Sequence, residues 1–203
     1  MKKDTDWFEE LYNNANGDSC AIPWAKLEPD PLLKEFLSNN TNLHGRALVI
    51  GCGLGDDAKA LLDAGFDTVA FDISQSAIEW AKKRFEESDI EFSVHDIFEL
   101  PKEYIKSFDF VFESLTIQSL PITFRPEIIE AITSTVAPNG KLLVVAHGKN
   151  EDEKYGGPPY PLLINELGLF KMYGLTQLEF SIYDEPSNLS SLKFKALYQN
   201  RCH

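Results

Sequence analysis

Arg46-Ala-Leu-Val-Ile-Gly-Cys-Gly-Leu-Gly-Asp56 is an apolar run that breaks into alternating glycines, and Val69-Ala-Phe-Asp-Ile-Ser74 is a second apolar run ending in an acid. Together they read as a strand, a tight glycine turn, a helix, and a second strand with a carboxylate at its tip. Such a turn lets backbone approach a ligand where side chains would clash. The carboxylate at the second tip can accept hydrogen bonds from ribose hydroxyls. The arrangement holds an adenosine-type cofactor. Gly51, Gly53 and Gly55 form G-x-G-x-G, and Asp56 stands where the dinucleotide pattern G-x-G-x-x-G has its third glycine. That pattern seats a pyrophosphate on a helix N-terminus. An acid there repels a pyrophosphate, but not a cofactor that has no phosphate and carries a positive sulfonium. An NAD-dependent oxidoreductase is disfavoured on this ground.

Outward from this stretch the chain alternates. The first strand is read at Ala47–Ile50, a helix at Asp56–Ala64 closed by Gly65, and the second strand at Thr68–Phe71. Ser74 caps the next helix, whose apolar face is Ile78, Ala81 and Phe85. The third strand is Glu91–Val94 and the fourth Phe108–Phe112; Pro121 and Pro126 bound the loop before a helix at Glu127–Val136. Pro138-Asn-Gly140 is a turn into an apolar fifth strand, Lys141–Ala146. Gly156-Gly-Pro-Pro159 marks a loop, a short helix lies near Leu162–Phe170, and two strongly alternating strands follow at about Leu175–Tyr183 and Leu192–Gln199, able to pair antiparallel. The N-terminal 40 residues read as a flap, with a short helix at Trp7–Tyr12 and chain breaks at Ile22-Pro-Trp24 and Pro29-Asp-Pro31. Asp30 caps a leading helix that has Pro31 in its first turn and Leu32, Leu33, Phe36 and Leu37 on its apolar face. The expectation is a single α/β domain, residues 1–40 being the flap and leading helix and 41–203 the core. Its fold class is a Rossmann-like, doubly wound, seven-stranded and mostly parallel sheet with an antiparallel C-terminal strand and helices on both faces.

Composition bounds the partners. A formal charge of −13, with basic residues scattered among acids, disfavours nucleic acid, which needs clustered Lys and Arg. The three cysteines, Cys20, Cys52 and Cys202, are widely spaced and suggest neither a disulfide framework nor a zinc site. The polar, acidic start does not read as a signal peptide, and no run is long and apolar enough to span a bilayer. A cytoplasmic monomer or homodimer acting on a small molecule, away from membranes, is expected.

Ligands of doubly wound sheets bind at the carboxyl ends of the strands, so those ends hold the candidates. Asp72 can accept from both hydroxyls of a ribose, the alternative being a solvated strand-end acid; the glycine loop upstream favours the ribose. Asp96 can accept from an adenine amino group while Ile97 packs on the ring. Cys52, inside the glycine loop, is explained by packing rather than as a nucleophile. Glu113 closes an apolar run, where a charge needs a reason; it can hold a cofactor amino group, face the acceptor, or reach water as a strand-end acid. Ser114, Thr116 and Gln118 add polar groups to its loop. His147 ends the fifth strand as a candidate base or a structural residue.

Four of these segments, in order over about residues 45–147, resemble class I S-adenosylmethionine-dependent methyltransferases: Val49–Gly55 its glycine motif, Phe71–Ser74 its ribose motif, His95–Ile97 its adenine motif, and Val136–Val144 its turn into the fifth strand. Val49 departs from the acid that many members carry two places before the first glycine. Ile22-Pro-Trp24, the stretch from Glu113 to Pro121-Ile-Thr-Phe-Arg125, and Gly157-Pro-Pro-Tyr160 are similar to the thiopurine, thiol and halide branch. The resemblance implies S-adenosyl-L-methionine as cofactor, S-adenosyl-L-homocysteine as product, and a small acceptor such as a thiol or other soft nucleophile. An oxygen or nitrogen acceptor stays open. Trp24, Gly51, Cys52, Gly53, Gly55, Asp72, Ile73, Asp96, Ile97 and Glu113 are the implied cofactor residues; Glu113, His147 and Tyr160 are the candidate catalytic residues. Methyl transfer mainly requires holding the acceptor at roughly 3–3.5 Å in line with the leaving sulfur. A flap aromatic such as Trp24 can exclude water and favour a sulfonium, whereas Trp7 and Tyr12 read as covering one end of the sheet. A non-catalytic domain that keeps the cofactor pocket is the rival from another class.

Overall fold

The computed structural model describes residues 5–184 and 190–201; Cys202 lies outside them. The chain divides into two compact units, Met1–Glu99 and Leu100–His203.

In the first unit, α1 (Asp6–Ala15) and α2 (Pro31–Asn39) precede β1 (Arg46–Ile50), α3 (Asp56–Asp63), β2 (Asp67–Asp72), α4 (Gln75–Arg84) and β3 (Glu91–Val94). The caps form as their residue types require. The Asp30 carboxylate accepts from the Leu32 N–H at 2.8 Å, with Pro31 in the first turn of α2. Ser74 Oγ accepts from the Ala77 N–H at 3.0 Å. Gly65 closes the end of α3 at φ 95°. On α2 only Leu33 and Phe36 are buried, so its core stripe is narrower than expected. The strands run parallel in the order β3-β2-β1, with Ile50 beside Phe71 and Asp72 beside Val94. This register ends β1 and β2 side by side.

The second unit contains β4 (Phe108–Ser114), α5 (Thr116–Ser119), α6 (Arg125–Thr135), β5 (Val136–Gly148), α7 (Leu169–Met172), β6 (Thr176–Asp184) and β7 (Leu192–Gln199). Its order is β4-β5-β7-β6; β4 and β5 are parallel, while β7 runs antiparallel to both β5 and β6. The seven strands form one mixed sheet with β7 as its antiparallel member, the doubly wound class expected.

Three boundaries differ from expectation. β4 runs to Ser114, so Glu113 lies inside the strand. Pro126 does not bound a loop but sits in the first turn of α6, where its missing N–H costs nothing. Pro138-Asn-Gly140 turns within β5: Asn139 adopts φ 65°, and the register with β4 jumps from Phe108↔Val136 to Phe110↔Lys141. Gly140 is required there, because a Cβ would lie 2.7 Å from the Phe108 carbonyl oxygen.

Candidate functional site

The first unit gathers the glycine loop, the β2 tip and the flap. Gly53 and Gly55 have φ of 50° and 87°, a left-handed region that disfavours a Cβ. A Cβ on Gly55 would meet the Phe92 ring at 2.9 Å, and one on Gly53 would lie 2.9 Å from Tyr12 Oη. Both positions therefore need glycine for packing as well as for backbone. Asp72 is buried. One carboxylate oxygen accepts from the Gly53 N–H at 2.9 Å and the other from the Ser74 N–H at 3.0 Å. Burial raises its carboxyl above the usual range, opposed by hydrogen bonds from Ser74, Gly53 and Ile73. Each oxygen keeps lone-pair capacity for a further donor. That remaining acceptor capacity fits the hydroxyls of a ribose at the β2 tip.

The flap closes over the same loop. Trp24 Nε1–H donates to Tyr12 Oη at 2.8 Å, and Trp7, Phe8 and Tyr12 pack edge-on to the Trp24 ring. Tyr12 does not simply cover one end of the sheet: it is 3% exposed, its hydroxyl rests on Gly53, and burial together with the Asp72 charge pushes its phenol up. Glu9, one helical turn before Tyr12, ties α1 to the start of α4. Its carboxylate accepts from Ser74 Oγ at 2.6 Å, the Ser76 N–H at 3.1 Å and Ser76 Oγ at 2.5 Å. Those bonds outweigh the burial that raises its carboxyl and hold it below the usual range. Glu9 was not a sequence candidate. The available signal was its i, i+3 spacing to Tyr12.

Asp56 does not project a free charge at the start of α3: the Arg84 guanidinium holds it through two bonds of 2.7 Å. Its neighbour Asp57 accepts from the Asp30 N–H at 2.7 Å. The charge argument against a pyrophosphate is therefore weakened, while the glycine spacing stands. Cys52 is buried and its thiol is pushed well up by burial and by Asp72, unlike a nucleophile. Asp96 spends one oxygen on its own turn, accepting from the Phe98 N–H at 2.9 Å; Ile97 is buried and Ile73 half-buried.

In the second unit the polar residues cluster around the end of β4. Glu113 is fully buried rather than reaching water. One oxygen accepts from the Ile117 N–H at 3.0 Å; the other has no hydrogen-bond partner among the described residues. Burial pushes its carboxyl up to about 7, with backbone bonds from Ile117 and Thr116 opposing. Leu115 follows at φ 69°, a strained conformation for leucine. Gln118, also fully buried, accepts from the His147 N–H at 2.8 Å, and its main-chain carbonyl accepts from the Tyr160 N–H at 2.6 Å. His147 Nδ1 lies 3.0 Å from Ser190 Oγ. Arg125, 2% exposed, donates to the Tyr160 and Pro161 carbonyls and pairs with Glu166. Glu113, His147 and Tyr160 are thus linked through the β4–α5 segment. Arg125, which clamps the loop at 160–161, was visible in sequence only as part of a motif.

A doubly wound sheet, a glycine loop braced by a carboxylate at the second strand tip, and an aromatic flap define a class I S-adenosylmethionine-dependent methyltransferase. The family model of thiopurine S-methyltransferase (TPMT) matches residues 7–197, and the chain belongs to that family. It is 28% identical over 177 residues to a probable thiol methyltransferase 2 of Arabidopsis thaliana, covering 82% of this chain and 76% of that one. It is 28% identical over 148 residues to thiocyanate methyltransferase 1 of Brassica oleracea, covering 70% of this chain and 63% of that relative's length. The solved structure of a SAM-dependent methyltransferase from Methanosarcina mazei shares the fold, with a TM-score of 0.71 at 19% identity, covering 87% of this chain and 100% of that one. Among the described residues no helix is long and apolar enough to cross a membrane.

Proposed function

We propose that the chain transfers a methyl group from S-adenosyl-L-methionine to a small-molecule acceptor, a thiol or another soft nucleophile, releasing S-adenosyl-L-homocysteine. The observation that carries this reading is the buried Asp72 carboxylate, braced by the Gly53 N–H and still able to accept from ribose hydroxyls. Asp72 and Ile73 would hold the ribose, Asp96 and Ile97 the adenine, and Gly51, Cys52, Gly53 and Gly55 would present backbone to the cofactor. Bound there, the cofactor supplies a methyl group already activated by its sulfonium. Trp24, held by Tyr12, covers the glycine loop and excludes water from it.

Glu113, His147 and Tyr160 belong to the acceptor side. With its carboxyl near 7, Glu113 can take a proton from an O–H or S–H acceptor at neutral pH. The names of the relatives, a thiol and a thiocyanate methyltransferase, support a soft acceptor. Calorimetry with S-adenosylmethionine and S-adenosylhomocysteine tests the cofactor half; no heat from either at millimolar concentration defeats it. Release of S-adenosylhomocysteine across a panel of thiols, halides, phenols and amines tests the acceptor half. Binding without turnover of any of them would leave a cofactor-binding domain.

A further inference from the structure

We infer that α1 is a clasp that positions the Asp72 carboxylate, with Glu9 as the positioning residue that anchors it. The clasp is a property of the first unit alone; that the carboxylate it positions receives a ribose rests on the proposed function.

Asp72 is buried and takes two of its bonds from opposite sides. Oδ2 accepts from the Gly53 N–H at 2.9 Å, in the turn between β1 and α3. Oδ1 accepts from the Ser74 N–H at 3.0 Å, at the N-cap of α4. The carboxylate therefore points where those two N–H groups put it. Both supports are weak places in a fold, one a glycine turn at φ 50° and the other a helix end. Turns and helix ends open locally more readily than strand interiors.

α1 touches both supports. Glu9 Oε2 accepts from Ser74 Oγ at 2.6 Å and from the Ser76 N–H at 3.1 Å, and Oε1 accepts from Ser76 Oγ at 2.5 Å. Ser74 thus gives its hydroxyl proton to Glu9 and its N–H to Asp72, while its hydroxyl oxygen caps the Ala77 N–H. Tyr12 follows Glu9 by three residues, on the same face of the helix. Its hydroxyl lies 2.9 Å from where a Cβ on Gly53 would stand, and Trp24 Nε1–H fixes that hydroxyl at 2.8 Å. Tyr12, Ala15, Leu54 and Ala77 share one buried cluster, which joins α1 to the glycine loop and to α4. One face of one helix therefore bears on the two segments that donate to Asp72.

Attraction between the acids does not explain the arrangement. Burial raises the Asp72 carboxyl, and the Glu9 charge adds to the rise; like charges oppose each other. What Glu9 gains is the set of N–H and O–H groups of Ser74 and Ser76, and fixing them fixes the Ser74 N–H that Asp72 uses. A carboxylate oriented before its ligand arrives leaves less ordering cost to be met on binding.

The test reads amide hydrogen exchange residue by residue, by NMR, in the ligand-free protein. Glu9→Ala should speed exchange of the Ser74 and Gly53 N–H groups together, each by about fivefold, the loss of one capping interaction. Tyr12→Phe keeps the Glu9 bonds and should speed Gly53 alone. Glu9→Gln keeps an oxygen for Ser74 Oγ and the Ser76 N–H, and an N–H for Ser76 Oγ; it should return both amides to within about twofold of wild type. If Gly53 exchanges as in the wild type in Glu9→Ala or in Tyr12→Phe, the clasp is overturned and Glu9 is only a local cap of α4. Either variant decides this if the other does not fold.

Calorimetry with S-adenosylhomocysteine and its 2′-deoxy analogue adds the ligand readout. The wild type should bind the analogue at least about tenfold more weakly. Glu9→Ala should shrink that ratio by about threefold, whereas a helix that merely stabilises the fold would lower both affinities alike and keep the ratio. A ratio kept in Glu9→Ala overturns the positioning role. Equal wild-type affinities, or no binding of either compound, defeat the ribose reading of Asp72, and the exchange rates at Gly53 and Ser74 then decide the clasp.

Discussion

The two units treat their buried carboxylates differently. In the first, Asp72 spends one oxygen on the Gly53 N–H and the other on the Ser74 N–H, and Glu9 is held by Ser74 and Ser76. In the second, Glu113 is fully buried, yet among the described residues one oxygen has a partner and the other has none. The first arrangement is a brace: the chain supplies the donors, and each oxygen keeps lone-pair capacity. The second is not: among the described residues nothing bonds to Glu113 Oε2. A methyl donor common to a whole fold can be held by backbone and a shared carboxylate.

The sharpest way to break this contrast is Arg125→Ala. Arg125 is the most heavily bonded side chain of the second unit's polar cluster: its two terminal nitrogens donate to the Tyr160 and Pro161 carbonyls and to Glu166, while its Nε has no partner among the described residues. Removing one partner of a buried pair costs roughly 3–5 kcal/mol, so urea unfolding should show a loss of that order. A loss below about 1 kcal/mol would mean that the clamp is not holding the 160–161 loop.

Glu113→Gln should come next. Its folded carboxyl is raised to about 7, so the folded state prefers the protonated form. That stability is fully present below the unfolded value near 4.5 and is lost as pH rises through about 7. The shift corresponds to roughly 3 kcal/mol. Wild-type stability should therefore fall between pH 5 and pH 8 by about that much relative to the Gln variant. Parallel pH profiles for the two proteins would show that Glu113 is paired after all.

Asp72→Ala tests the other side. It should weaken S-adenosylhomocysteine binding by roughly 1–3 kcal/mol, the cost of leaving polar groups unpaired, read by calorimetry. Unchanged affinity would refute the ribose role and make Asp72 a structural brace only. The smallest effect is expected from Glu9→Ala. Its carboxylate satisfies N–H and O–H groups at the start of α4 in the manner of an N-cap, worth about 1 kcal/mol. Thermal melts should show a small loss, with Trp24 fluorescence changing because α1 is no longer tied down. An unaltered spectrum would separate the flap from the α4 contact.

Much of the fold was legible because the information is local. β3 falls at Glu91–Val94 as read from alternation, and the Asp30 and Ser74 caps form where a short polar side chain precedes an apolar period. Fourth-strand length was misjudged because an acid within a strand looks like its end, and burial is invisible to a residue count. Pairings across long stretches of chain were not legible. Ser74 reaches Glu9 across 65 residues, Arg84 reaches Asp56 across 28, Gln118 holds His147 across 29, and Arg125 holds Tyr160 across 35. Each is a polar pair whose partners have many equivalent candidates in an acidic chain.

The sequence by itself therefore determined the class of fold and the place of the glycine loop, since strand period, glycine spacing and capping act between residues a few positions apart. Only the tertiary structure decided that Asp56 is neutralised by Arg84, that Tyr12 rests on Gly53, and that Glu113 and Gln118 keep unpaired atoms. Those outcomes depend on which side chains share a buried volume, and folding sets that volume by packing and desolvation, whose partners lie far apart along the chain.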